Sequence, residues 1–285
     1  MFSKKLTKPI ANLSFEHRAL LFAELSAIAY YSEKDATRQA KTLGFTTVEF
    51  YNIEGAEAYR FMNKHDFIIA CRGTQPKQWN DIKADAEAWP IVAETVGRVH
   101  KGFKKEVDKL WPKLEEDLER EQADRNVWFT GHSLGAGMAT ICASRCKGEN
   151  KCNNPNELHT YGTPRVGWPS YINSIPFKHF RWRNNNDIVT RVPMRWMGYK
   201  HHGTGNYFNH FGNLRNLTTW QITKDRWRGF FVSLLKGKFD PIADHSIDEY
   251  IKHLNNLANG NETPQPTTIS SLDPTRSWDP VKFLP

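Results

Sequence analysis

Residues 131–135 read Gly131-His132-Ser133-Leu134-Gly135, between an apolar run, Val127-Trp128-Phe129-Thr130, and a small-residue stretch, Ala136-Gly137-Met138-Ala139-Thr140-Ile141. The bare G-x-S-x-G pattern is not rare. A strand signal before it and a helix signal after it confine this part of the chain to a strand, a sharp turn and a helix. In such a turn the serine oxygen stands above the end of a sheet. The flanking glycines let the backbone approach without Cβ clashes, and the helix aims its first N–H groups at the site. Ser133 is therefore a candidate nucleophile.

The rest of the chain supplies alternating strands and helices around this unit. Residues 13–31 carry a helical apolar pattern, and residues 45–52 and 58–62 alternate like two strands joined at Glu54-Gly55. Residues 67–71 form a buried strand ending at Arg72-Gly73-Thr74. Val99-His100-Lys101-Gly102-Phe103 opens a long helix to about Glu121. Further strands are expected at 126–130, at Leu158–Tyr161 and near His179–Arg183, with a helix after His245. This alternation predicts an α/β fold, a central and largely parallel sheet flanked by helices. The tail from Asn259 onward, rich in Asn, Pro, Thr and Ser, reads as extended.

With 285 residues the chain can bury one substantial core, and 39% hydrophobic and 25% charged residues exclude a disordered polymer. The net charge of +8 permits attraction to anionic lipid, but no nucleic-acid-binding motif accompanies it, so no nucleic-acid partner is expected. No apolar run reaches the roughly 18–20 residues that span a bilayer. The basic N-terminal stretch lacks a following apolar region, so no secretory signal is expected. Cys142 and Cys146, four residues apart on one helix, are poorly placed for a disulfide, whereas Cys146 with Cys152 is sterically conceivable. Reduced thiols are the preferred reading. Together these features predict a cytoplasmic or peripheral-membrane location, with export by a route lacking a cleaved signal left open.

A serine nucleophile needs a base to take its proton and a carboxylate behind that base, here in the order serine, acid, histidine. Asp187 lies just past an expected strand, and His245 sits on a loop before the last helix. Their spacing from Ser133 suits a triad. Among the eleven histidines, His132 reads as a packing residue and His100 as a turn stabiliser, while His201, His202 and His210 fall in an insertion. Asp244 adjoins His245 too closely to pair with it, and Asp240 and Asp248 are weaker candidates. Two donors must stabilise the developing oxyanion. The Leu134 N–H is one, and Thr74, with its N–H and hydroxyl, is the other.

The ordered set Arg72-Gly73-Thr74, Val99-His100-Lys101-Gly102-Phe103, Gly131-His132-Ser133-Leu134-Gly135, Tyr161-Gly162-Thr163-Pro164-Arg165-Val166-Gly167, Asn186-Asp187 and Asp244-His245 resembles the class 3 lipases, the fungal-type triacylglycerol lipases and their bacterial relatives. The resemblance implies an α/β-hydrolase fold in a single domain over 1–285. It implies Ser133, Asp187 and His245 as triad, Thr74 and Leu134 as oxyanion donors, and neither cofactor nor metal. It further implies hydrolysis of lipid esters through an acyl-enzyme, with a phospholipase A1, a soluble-ester esterase or a non-catalytic lipid-binding module as the rival readings. The expected partners are the lipid or ester substrate and a lipid interface touched peripherally; the sequence does not give an oligomeric state.

By the same resemblance, residues 75–90 match a lid, with Trp79, Ile82 and Trp89 facing an acyl groove. Lys and Asp interrupt its apolar face, which argues against strong interfacial activation, and the expected lack of a secretory signal and of disulfides argues for a bacterial-type member. An aromatic insertion at about 195–240 carries Trp227, Phe230, Phe231, Leu234 and Leu235 at helical spacing. It reads as a cap over the acyl channel, with a membrane-docking helix as the alternative.

Overall fold

The computed structural model describes residues 5–73, 89–122, 124–148, 155–215, 221 and 243–261. Eight strands form the main sheet among these residues, in the order β1-β2-β3-β6-β7-β8-β9-β10. They are β1 (Thr47–Ile53), β2 (Ala56–Met62), β3 (Asp66–Cys71), β6 (Asn126–His132), β7 (Glu157–Tyr161), β8 (His179–Asn184), β9 (Thr204–Phe208) and β10 (Leu214–Arg215). β3, β6, β7, β8 and β9 run parallel, and the antiparallel pairs β1–β2, β2–β3 and β9–β10 close the two sides. β4 (Pro90–Val92) and β5 (Arg98–His100) form a separate hairpin.

The helices cover both faces because the central strands are apolar on both. On β6, Val127 and Phe129 point into one core while Trp128 points into the other. β3 does the same, with Phe67, Ile69 and Cys71 on one side and Ile68 and Ala70 on the other, the two-residue period of a strand. α3 (Lys101–Glu121) and α4 (Leu134–Gly148) pack on the first face. α1 (Phe15–Ile28), α2 (Glu33–Leu43) and α6 (Ile247–Ala258) pack on the second. α5 (Pro169–Ser174) is a short helix between β7 and β8.

α1 is buried from Ala19 to Ile28, and the Ser14 side chain caps it by accepting from the His17 N–H. The expected hairpin is present. Its turn places Glu54 and Gly55 at φ 50° and 82°, the left-handed backbone of a tight two-residue loop. α2 was not expected, and part of the presumed 195–240 insertion forms β9 and β10, which widen the sheet. Residues 216–220 and 222–240 of that insertion, residues 75–88 of the expected lid and the tail beyond Asn261 lie outside the described residues. Cys71 and Cys142 are free, but Cys146 is disulfide-bonded, which corrects the expectation of reduced thiols throughout.

Candidate active site

β6 ends at His132 and α4 begins at Leu134, so Ser133 occupies the one-residue turn between them. Its φ is +63°, a left-handed value that costs an L-residue roughly 1 kcal/mol. The turn is held by its own polar groups: the Ser133 N–H donates to the Tyr161 carbonyl at 3.0 Å, and its carbonyl accepts from the Ala136 N–H at 3.0 Å. A side chain at Gly135 would collide with the Cys71 carbonyl, so only glycine lets α4 start this close to the end of β3. The Ser133 Oγ is buried and accepts or donates no hydrogen bond among the described residues. Leu134, partly buried, opens α4, where the first N–H groups have no carbonyl a turn earlier to bond.

Asp187 follows β8 in a turn closed by its N–H to the Asn184 carbonyl at 2.9 Å. His245 ends a short 3-10 turn, Ala243–His245, just before α6. The two side chains meet, with His245 Nδ1 3.0 Å from Asp187 Oδ2. The other contacts of that carboxylate fix it: Tyr250 Oη donates to Oδ2 at 2.5 Å and the Val189 N–H to Oδ1 at 2.9 Å. Burial opposes charge on Asp187, yet the His245 ring and these donors hold its carboxyl below the usual range. Gly162, at φ 58°, leaves the space for this pair. A Cβ there would lie 2.6 Å from His245 Cε1 and 2.8 Å from Asp187 Oδ2.

His132 supports the site from beneath. Its Nε2 lies 2.7 Å from the His245 carbonyl, which can only accept, so Nε2 carries the proton and Nδ1 takes the Tyr30 hydroxyl at 3.0 Å. Burial, with the His245 ring beside it, pushes the His132 pKa down to about 3, so the ring is neutral. The Tyr30 hydroxyl also accepts from the Gly73 backbone, and the two bonds tie the end of β3 to the His245 turn.

Ser133, Leu134, Asp187 and His245 thus gather at the C-terminal end of the parallel strands. His132 and His100 are placed as the sequence reading had them, the latter capping α3 by accepting from the Phe103 N–H. Asp244 accepts from the Asn186 N–H at 3.1 Å. Trp89 is described and is 68% exposed. Thr74, Trp79, Ile82, Trp227, Phe230 and Phe231 lie outside the described residues. Sequence reasoning did not single out Tyr250 or Tyr30. Tyr250 lies five residues beyond His245 and begins the buried face of α6, a signal that was readable but looks like ordinary core.

A serine on a strand–turn–helix elbow, with a histidine–aspartate pair delivered from later turns of the same sheet, defines the architecture of an α/β-hydrolase. The model of the class 3 lipase family matches residues 68–197, a little under half of this chain. Among its relatives is the secreted mono- and diacylglycerol lipase of Malassezia restricta, 34% identical over 149 residues, covering 47% of this chain and 47% of that protein. A Rhizomucor miehei lipase is 28% identical over 180 residues, covering 59% of this chain and 48% of the relative. The chain spans about half the length of these curated relatives. In three dimensions it is similar to the solved Rhizomucor miehei triacylglyceride lipase, with a TM-score of 0.59 at 23% identity over 69% of this chain and 81% of that one. This likeness shows the fold.

The expected cytoplasmic or peripheral-membrane location is corrected. The Malassezia relative is named secreted, and the bonded Cys146 belongs with oxidising compartments. Both count against a cytoplasmic location.

Proposed function

We propose that the chain hydrolyses carboxylic esters of lipids, with glycerides as the substrate class, through an acyl-enzyme on Ser133. The observation that carries this reading is the Asp187–His245 pair on the same sheet edge as the strained Ser133 turn. His245 takes the Ser133 proton as Oγ attacks the ester carbonyl, passes it to the leaving alcohol, and then activates water against the acyl-enzyme. Asp187 fixes the ring tautomer, since its Oδ2 accepts the Nδ1 proton and leaves Nε2 as the basic nitrogen of the ring. The Leu134 N–H and Thr74 donate to the oxyanion, and residues 75–90 and the later aromatic segment serve as lid and cap over the acyl chain.

The test is hydrolysis of p-nitrophenyl esters from short to long acyl chains, beside an emulsified diacylglycerol and triacylglycerol. Ser133→Ala is expected to abolish turnover, and Thr74→Ala to lower kcat by about 10²–10³-fold. Turnover confined to short soluble esters would replace the lipid assignment with an esterase. Turnover that survives Ser133→Ala would remove the nucleophile.

A further inference from the structure

Beside the ester site, the face of β8 opposite Trp182 carries arginines at successive outward positions, Arg181 and Arg183. Arg165, Arg191 and Arg195 approach them from the turn after β7 and from the segment after Asp187. Among the described residues none of the five pairs with a carboxylate; every ion pair of the fold is made elsewhere.

The guanidinium groups are nevertheless held in place. Arg165 donates through Nη1 to the carbonyls of Arg191 and Pro193, the latter at 2.7 Å. Arg181 donates from Nε to the His202 carbonyl at 2.6 Å. The Arg183 guanidinium lies over the Tyr207 ring, 4.9 Å from its centroid. Two donors point at nothing: Arg165 Nε and Arg191 Nε are buried without an acceptor. His201, whose Nε2 lies 2.9 Å from the Thr190 carbonyl, turns a second buried nitrogen, Nδ1, into the same neighbourhood without a partner.

Like charges this close repel. Burial and the neighbouring Arg195 and Arg183 push Arg165 down to about 10; burial with Arg183 and Arg165 takes Arg181 to about 9. Asp187 attracts Arg183, but its oxygens are spent on His245, Tyr250 and the Val189 N–H. Fixed cations with unspent N–H groups and no carboxylate make a receptor for an oxyanion. The planar fork of arginine matches the tetrahedral oxygens of phosphate.

We propose that Arg165, Arg181, Arg183 and Arg191 form a binding site for a phosphate group, separate from the Ser133 machinery. Two sources carry that chemistry, a phospholipid headgroup and free phosphate. Met194 and Trp196, 47% and 84% exposed, flank Arg195 in the adjoining turn. A phosphate borne by lipid would set apolar atoms against them; free phosphate would not.

The test uses the full chain carrying Ser133→Ala, so that lipid is not consumed. Isothermal titration with sodium phosphate, at constant ionic strength in chloride, is run beside cosedimentation with phosphatidylcholine vesicles with and without phosphatidic acid. Saturable phosphate binding is expected, weakened at least tenfold by Arg183→Gln and by Arg191→Gln and unchanged by Arg38→Gln on α2. Among the described residues the Arg191 side chain makes no hydrogen bond, so its loss is expected to leave folding intact, which circular dichroism checks. A preference for phosphatidic acid that Arg191→Gln removes assigns the headgroup. Phosphate binding without that preference assigns the free ion. No phosphate binding in either arm, or binding indifferent to both arginine variants, overturns the site.

Discussion

Asp187 accepts hydrogen bonds from three elements, the His245 ring, the Tyr250 hydroxyl on α6 and the Val189 N–H. Each bond favours the carboxylate over the acid, and each fixes an orientation. Tyr250 also accepts from the Asn184 N–H at 3.0 Å, so one hydroxyl locks the end of β8 to the acid it carries. A hydrogen bond to a charged group contributes about 1.5–3 kcal/mol. Tyr250→Phe is therefore expected to lower kcat about tenfold and to move the acid limb of the kcat–pH profile upward, because Asp187 then protonates more easily. A profile whose acid limb stays in place would reduce Tyr250 to packing. The Ser133 turn and the Asp187–His245 pair were legible in the sequence because residue type, order and local punctuation all agree there. Tyr250 was not, since a tyrosine on an apolar helix face announces core and only the fold shows what its hydroxyl meets.

Among the elements, α3 is anchored to the antiparallel side of the sheet through one buried acid. Asp117 takes the Tyr51 hydroxyl of β1 at 2.5 Å and the Arg60 guanidinium of β2 at 3.2 Å, while Arg120 closes the other oxygen at 2.5 Å. Asp117→Ala leaves the buried Arg60 only the half-exposed Glu49, 3.9 Å away, and removing one partner of a buried pair costs about 3–5 kcal/mol. Urea denaturation is expected to register a loss in that range; a change under about 1 kcal/mol would show that water replaces the carboxylate. The parallel strands were readable as continuous apolar runs because both faces are buried. α2 escaped because it is largely polar and buries only Ala36, Ala40 and Leu43, though Ser32 caps its start and Gly44 its end in the left-handed conformation. β9 escaped for the opposite reason: Thr204 and Gly205 are exposed at the sheet's side, and its identity as a strand comes from pairing with β8.

At the scale of the whole molecule, six buried or half-buried histidines share one electrostatic bias. His132, His159, His179, His201, His202 and His253 all have pKa values lowered first by burial, His132 to about 3 and His202 to about 4. In the unfolded chain the same rings titrate near 6.5. Below that pH the unfolded state binds protons that the folded state refuses, so stability is complete above about 6.5 and falls as the pH drops towards the folded values. Asp66 and Asp244, raised by burial, act in the other direction, two groups against six. Each histidine contributes up to about 1.4 kcal/mol per pH unit in that window. The urea midpoint is expected to decline steadily from pH 6.5 to 5, and a midpoint that is flat to pH 4.5 would contradict the burial of these rings. The left-handed backbone at Ser133 has a consequence of another kind. A residue that the proposed chemistry requires sits where the backbone would prefer glycine, so on that proposal selection for turnover and selection for heat tolerance pull that codon in opposite directions. A lineage released from the need to cleave esters would be free to drift there first.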